Sequence, residues 1–193
     1  MTSPAPALLL DTCSIINLSY CRPVASAFRS RYEGAARWVR ATQAELVRQR
    51  SRRPPHPQAG HASNWAATWL GMPIEMVDEN LLVATESIQR AIAAGYTDSA
   101  LDHLGEAASI ALLQSVGRGR LMSDDHAARA ESRKRGVRAS SSVGVIAQLL
   151  TFAGSGVDPS MADTYLHALR ARARMHAQLT SIDLLAGDIG PWQ

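Results

Sequence analysis

The chain has 193 residues, 46% apolar and 19% charged, with a formal net charge of +3. This balance excludes a disordered polyelectrolyte and leaves enough chain for one substantial hydrophobic core. Nearly every cation is arginine, Lys134 being the one lysine. Guanidinium groups make planar, paired contacts with phosphate, so one expectation is a basic face for RNA or DNA. The other is a GC-rich genome, which favours arginine over lysine whatever the protein does.

Cys13 and Cys21 lie close together in sequence and are expected to be reduced, structural thiols. His56 and His61 stand in a Pro-rich stretch with no cysteine beside them, so they do not suggest a zinc site. No Lys or Arg precedes the first apolar run, and no stretch approaches the roughly 20 apolar residues of a membrane span. The expectation is a cytoplasmic protein with no membrane segment.

In chain order, residues 7–11 (Ala-Leu-Leu-Leu-Asp) read as a buried strand that ends on an acid. A short helix is expected over 12–18, broken at Arg22-Pro23. Residues 25–53 read as one or two arginine-bearing helices that stop at Pro54-Pro55. A loop is expected over 54–64, a short helix over 64–70, and a second strand over 73–77. The apolar spacing of 81–94 predicts a helix ended by Gly95. Ser99 to Asp102 has the spacing of a capping box, which marks the start of a helix running through 105–113. A third strand, 120–123, is closed by Asp124 and Asp125. A polar, basic helix over 126–135, a fourth strand over 137–140 and an apolar helix over 143–152 follow. Asp158 with Pro159 opens a last helical segment, and a short helix is expected over 182–186. Strands alternating with helices imply a mainly parallel sheet covered on both sides. The division expected is a domain over 1–156 and a C-terminal helical extension over 157–193.

Acids recur where they can converge. Asp11 ends the first strand, Glu45 lies on an early helix, Glu106 heads an apolar stripe with Ile110 and Leu113, and Asp124 and Asp125 end the third strand. Ligands of open α/β sheets bind beyond the carboxyl ends of the strands, so these positions are where chemistry belongs. Several ionised carboxylates need a cation between them, and Mg²⁺ or Mn²⁺ suits oxygen ligands. Such a centre suits phosphodiester hydrolysis. Thr12 and Ser123 could fix carboxylates or water by hydrogen bonds. Blander roles compete. Asp11, Asp124 or Asp125 could simply cap helices, and Glu45 could pair with Arg48 on a solvated face. His103 and His126 read as surface or structural residues.

The pattern resembles the PIN domain, the nuclease fold of VapC-type toxins. The matching segments are Leu8-Leu9-Leu10-Asp11-Thr12-Cys13-Ser14, Ala44-Glu45-Leu46, Leu104-Gly105-Glu106-Ala107-Ala108 and Leu121-Met122-Ser123-Asp124-Asp125, with Gly136-Val137 and Ser142-Val143-Gly144-Val145 behind them. The third segment resembles the Gly-Glu-Ala form of the family's acidic motif, and Ser123 keeps the hydroxyl of the family's usual Thr. The resemblance covers about residues 7–153. It implies an α/β/α sandwich with a four- to five-stranded parallel sheet. It also implies a Mg²⁺- or Mn²⁺-dependent ribonuclease acting on single-stranded RNA. By motif, Asp11, Glu45, Glu106 and Asp125 would be the catalytic acids, with Asp124 an alternative or added metal ligand. Arg118 and Arg120 are candidates for contacts with the RNA backbone. Toxins of this family commonly dimerise and are blocked by an antitoxin, so both partners are expectations here. The main rival is a non-catalytic PIN-like module that binds RNA or protein. A receiver-type phosphoacceptor would want a lysine after a later strand, but Lys134 lies before the fourth. A dehalogenase-like phosphatase would want an acid where Cys13 stands.

Overall fold

A computed structural model describes residues 8–94, 102–173 and 180–185. Strand β1 (Leu8–Leu10) lies at the centre of a four-stranded sheet with β2 (Ala36–Arg37), β3 (Arg120–Met122) and β4 (Arg138–Ser140). The order is β2-β1-β3-β4 and every pairing is parallel. β1 pairs with β2 on one side and with β3 on the other, Leu10 standing opposite Met122. The strand order therefore reverses between β1 and β3, and the crevice beyond their carboxyl ends is where such sheets hold ligands.

The short strands split two cores between them, because successive side chains point to opposite faces. Leu8, Leu10 and Met122 belong to one core. That core is filled from α1 (Thr12–Leu18), α2 (Arg22–Tyr32), α4 (Ala59–Ala67), α8 (Ser142–Thr151), α9 (Pro159–Ala173) and α10 (Ser181–Leu185). Leu9 and Leu121 belong to the other, which is filled from α5 (Glu79–Ala93), α6 (Leu104–Val116) and α7 (His126–Lys134). Helices thus cover both faces, compatible with an α/β/α layout.

The tail is part of the first core. Ala162, Tyr165, Leu166 and Leu169 of α9 are fully buried against it, and Leu184 of α10 follows them. Asp158 accepts a hydrogen bond from Met161 N at 2.9 Å, closing the first turn of α9. Among the described residues, no helix is long and apolar enough to cross a membrane.

Several expectations need correction. The second strand is not 73–77. Only Ile74 makes a bridge, to Val39, and the paired segment is Ala36–Arg37, inside the stretch read as helical. Those two residues sit between the helix end at Glu33 and α3 (Arg40–Ser51), too short a run to show a period. The loop expected over 54–64 contains the start of α4, whose Ala59, Ala62 and Ala66 give it a buried face despite the prolines before it. The capping box also fails to open α6. Residues 99–101 lie outside the described residues, Asp102 is in a turn, and the helix starts at Leu104 behind His103, whose φ is +61°.

Candidate metal centre

Asp11 leaves the end of β1 fully buried. Its Oδ1 accepts the Ser14 N–H at 2.7 Å and caps α1, so the cap is real. Its Oδ2 has no hydrogen-bond partner among the described residues. The Ser123 hydroxyl favours the ionised form, as Ser14 does. Burial outweighs it and pushes the carboxyl from an ordinary 3.8 up to about 7, with the negative Asp124 adding to the rise.

Glu106 faces Asp11 from the first turn of α6 and is 3% exposed. Its Oε2 likewise has no partner among the described residues. Burial raises its pKa well above the carboxylate range, and Asp11 and Glu45 push the same way. Two buried carboxyls, each with an idle oxygen, are costly in a folded protein unless a proton or a cation compensates them.

Glu45 reaches the group from α3. Its Oε2 accepts the Thr12 hydroxyl at 2.8 Å, and its Oε1 lies 3.9 Å from Arg48. Burial raises its pKa, while Thr12 and Arg48 oppose the rise. The close approach of α3 to α6 depends on Gly105. A Cβ there would come within 2.9 Å of Thr42 Oγ1, 3.3 Å of Thr42 Cα and 3.4 Å of Glu45 Oε2. Arg48 also bonds Asp102 at 2.8 Å, with Arg52 3.6 Å from the same carboxylate, so arginines line the rim next to Glu45.

The two acids after β3 are held differently. Asp125 caps α7 by accepting Ala128 N–H at 3.0 Å through Oδ1, and its Oδ2 lies 3.4 Å from His103 Nδ1. Both oxygens of Asp124 are engaged, one by Asn17 Nδ2 and one by Ser142 N–H, each at 2.8 Å. Asp124 thus straps β3 to α1 and α8. Ser142 in turn accepts the Tyr165 hydroxyl at 2.7 Å, so the strap extends into the tail. Behind the acids, Arg129 is buried and donates to Ser123 O at 2.8 Å. Burial lowers its pKa while Asp124, Asp11 and Asp125 hold it up, and a guanidinium keeps its charge in such surroundings. It is a fixed counter-charge to the cluster.

The expected acids Asp11, Glu45, Glu106 and Asp125 lie together, with Thr12 and Ser123 between them and Asp124 beside them. Arg118 and Arg120 are elsewhere, at the amino end of β3. Arg120 is pinned to Ser140 Oγ at 3.1 Å and to Gln148 at 3.3 Å. Four further residues border the site, of which Cys13 and His103 read in the sequence only as structural or surface residues. Asn17 interrupts an apolar run, which is a visible signal. His103 directly precedes the Leu-Gly-Glu segment. Cys13 is an exposed free thiol in the first turn after Asp11. Protein atoms crowd its sulfur, and that crowding, followed by Asp11, Glu106, Glu45 and Asp124, drives the thiol pKa well up. Arg129 gave no signal, being one arginine in a basic helix.

Two triplets meet the spacing a cation needs, with one ligand atom per residue all within 4.8 Å of one another. They are Asp11, Cys13, Glu106 and His103, Glu106, Asp125. The idle, buried oxygens of Asp11 and Glu106 belong to groups that could hold a metal ion. No protein-family model matches the chain, and no curated protein and no solved structure matches it either.

Proposed function

We propose that the chain is a metal-dependent endoribonuclease that hydrolyses phosphodiester bonds of single-stranded RNA, and that it serves as the toxin of a toxin–antitoxin pair. The observation that carries this reading is the pair of buried carboxyls, Asp11 and Glu106, each with an oxygen lacking any partner among the described residues. They stand at the carboxyl end of the sheet, between β1 and β3, with two further acids at hand.

Asp11, Glu106 and Asp125 are the residues that would hold the ion, Mg²⁺ or Mn²⁺ being suited to their oxygens. A divalent ion held by these residues would supply activation of a water and charge neutralisation at the phosphate. Glu45, with its raised pKa and its seat on the Thr12 hydroxyl, takes the proton of the attacking water at Oε1. Arg48 and Arg52 at the rim hold the RNA backbone, while Asp124, Asn17 and Ser142 keep the end of β3 in place. An antitoxin would act by covering the rim, and a homodimer is the assembly proposed for the active form.

The test is cleavage of labelled single-stranded RNA with Mg²⁺, Mn²⁺ or EDTA by wild type and Asp11→Asn. Asn keeps the helix cap and loses the charge. Cleavage that needs the metal and falls at least 100-fold in the variant supports the reading. Absence of cleavage of any RNA, with no metal bound by calorimetry, points to the binding module instead.

A further inference from the structure

The centre is not made of oxygens alone. Cys13 Sγ lies within 4.8 Å of a carboxylate oxygen of Asp11 and of Glu106, and a ring nitrogen of His103 lies within the same distance of Glu106 and Asp125. Glu106 is common to both triplets. It is nine-tenths or more buried, as is Asp11, and each keeps one oxygen without a partner among the described residues. Cys13 is exposed as a residue while its sulfur is turned in among protein atoms beside Asp11 and Glu106. His103 holds its ring there from a left-handed backbone at φ +61°, a conformation that glycine adopts more easily than histidine.

Thiolate and imidazole discriminate between cations. Mg²⁺ takes oxygen and water and gains little from either, whereas Zn²⁺ and Co²⁺ gain from both. We propose that Cys13 and His103 are ligands on either side of Glu106, and that this centre takes a borderline transition ion of the Zn²⁺ or Co²⁺ class in preference to Mg²⁺. The proposal rests on the reading of the acidic cluster as a metal centre. Binding breaks the Cys13 S–H bond, forms a sulfur–metal bond and releases one proton to solvent; nothing is oxidised or reduced.

The experiment titrates metal-free protein with Co²⁺, following near-ultraviolet absorbance and calorimetry, for wild type, Cys13→Ser and His103→Gly. Glycine suits the backbone at position 103 and serine is nearly isosteric with cysteine, so both variants are expected to fold. Wild type and His103→Gly should show a sulfur-to-cobalt charge-transfer band that Cys13→Ser lacks. Co²⁺ affinity should fall at least tenfold in each variant, and Mg²⁺ affinity should stay within twofold in Cys13→Ser. A wild-type cobalt complex without the band, unchanged Co²⁺ affinity in either variant, or displacement of Co²⁺ by equal Mg²⁺ overturns the mixed-donor proposal and leaves the carboxylate centre standing. Failure of wild type to bind Co²⁺, Mn²⁺ or Mg²⁺ overturns both.

Discussion

At the carboxyl ends of β1 and β3, Asp11 and Glu106 are sealed from water with oxygens left idle. At the amino ends of β3 and β4, Arg118, Arg135 and Arg138 surround a cavity of about 110 Å³ edged by Gly117, Gly119 and Gly136. Arg118 and Arg138 are exposed there, and Arg135 is paired with Glu131 at 2.7 Å. Both ends concentrate charge of one sign. Only one withholds solvent from it. Water already satisfies the arginines, so their clustering needs no ligand to explain it. The carboxyls have no such recourse, and that difference separates a candidate centre from a charged surface.

The comparison breaks first on pH. Asp11 titrates near its ordinary 3.8 when unfolded and at about 7 when folded. A raised carboxyl binds its proton more tightly in the native state, so metal-free protein loses stability as pH rises from about 4 to about 7. The loss over that window is on the order of 4 kcal/mol. Urea midpoints in EDTA across this range test it. Mn²⁺ should restore the neutral-pH midpoint, and Asp11→Asn should make the profile shallower, the remaining slope belonging to Glu106 and Glu45, whose carboxyls are also raised by burial. A flat wild-type profile would mean that Asp11 is compensated already.

Next in size is Gly105→Ala. The added methyl meets Thr42 at its backbone as well as its side chain, so α3 must move from α6. A loss of about 1–3 kcal/mol is expected by denaturant unfolding, with weaker metal binding as Glu106, the next residue of α6, shifts. The smallest effect belongs to the other end of the sheet. Arg118→Ala and Arg138→Ala should each change stability by less than about 0.5 kcal/mol and leave metal affinity unaltered. A larger change in either would show that the amino end is built, not merely solvated.

The parts legible in the sequence were those with a local signature. β1 and β3 announce themselves as apolar runs closed by acids, and Glu106 as an acid heading an apolar stripe. β2 has two residues and borrows its definition from β1, so no period exists to detect. Residues 73–77 carry strand-like composition, but one bridge at Ile74 is all the sheet takes from them. At the site, the roles that the sequence does not reveal depend on distant packing. Asp124 becomes a strap only because Asn17 and Ser142 arrive from two other helices. His103 reaches Asp125 through a turn whose handedness the sequence does not advertise, and Arg129 is buried by neighbours far along the chain.

The bond from Tyr165 to Ser142 sets an order of events during synthesis. By the time Thr151 is added, every acid of the centre has been made. The hydroxyl that steadies Ser142, and through its backbone Asp124, is still to come. A ribosome making this chain therefore carries the carboxylates for some time without the last contact that fixes the end of β3. Until Tyr165 joins the fold, Asp124 is held by Asn17 and the Ser142 N–H without the hydroxyl that steadies Ser142.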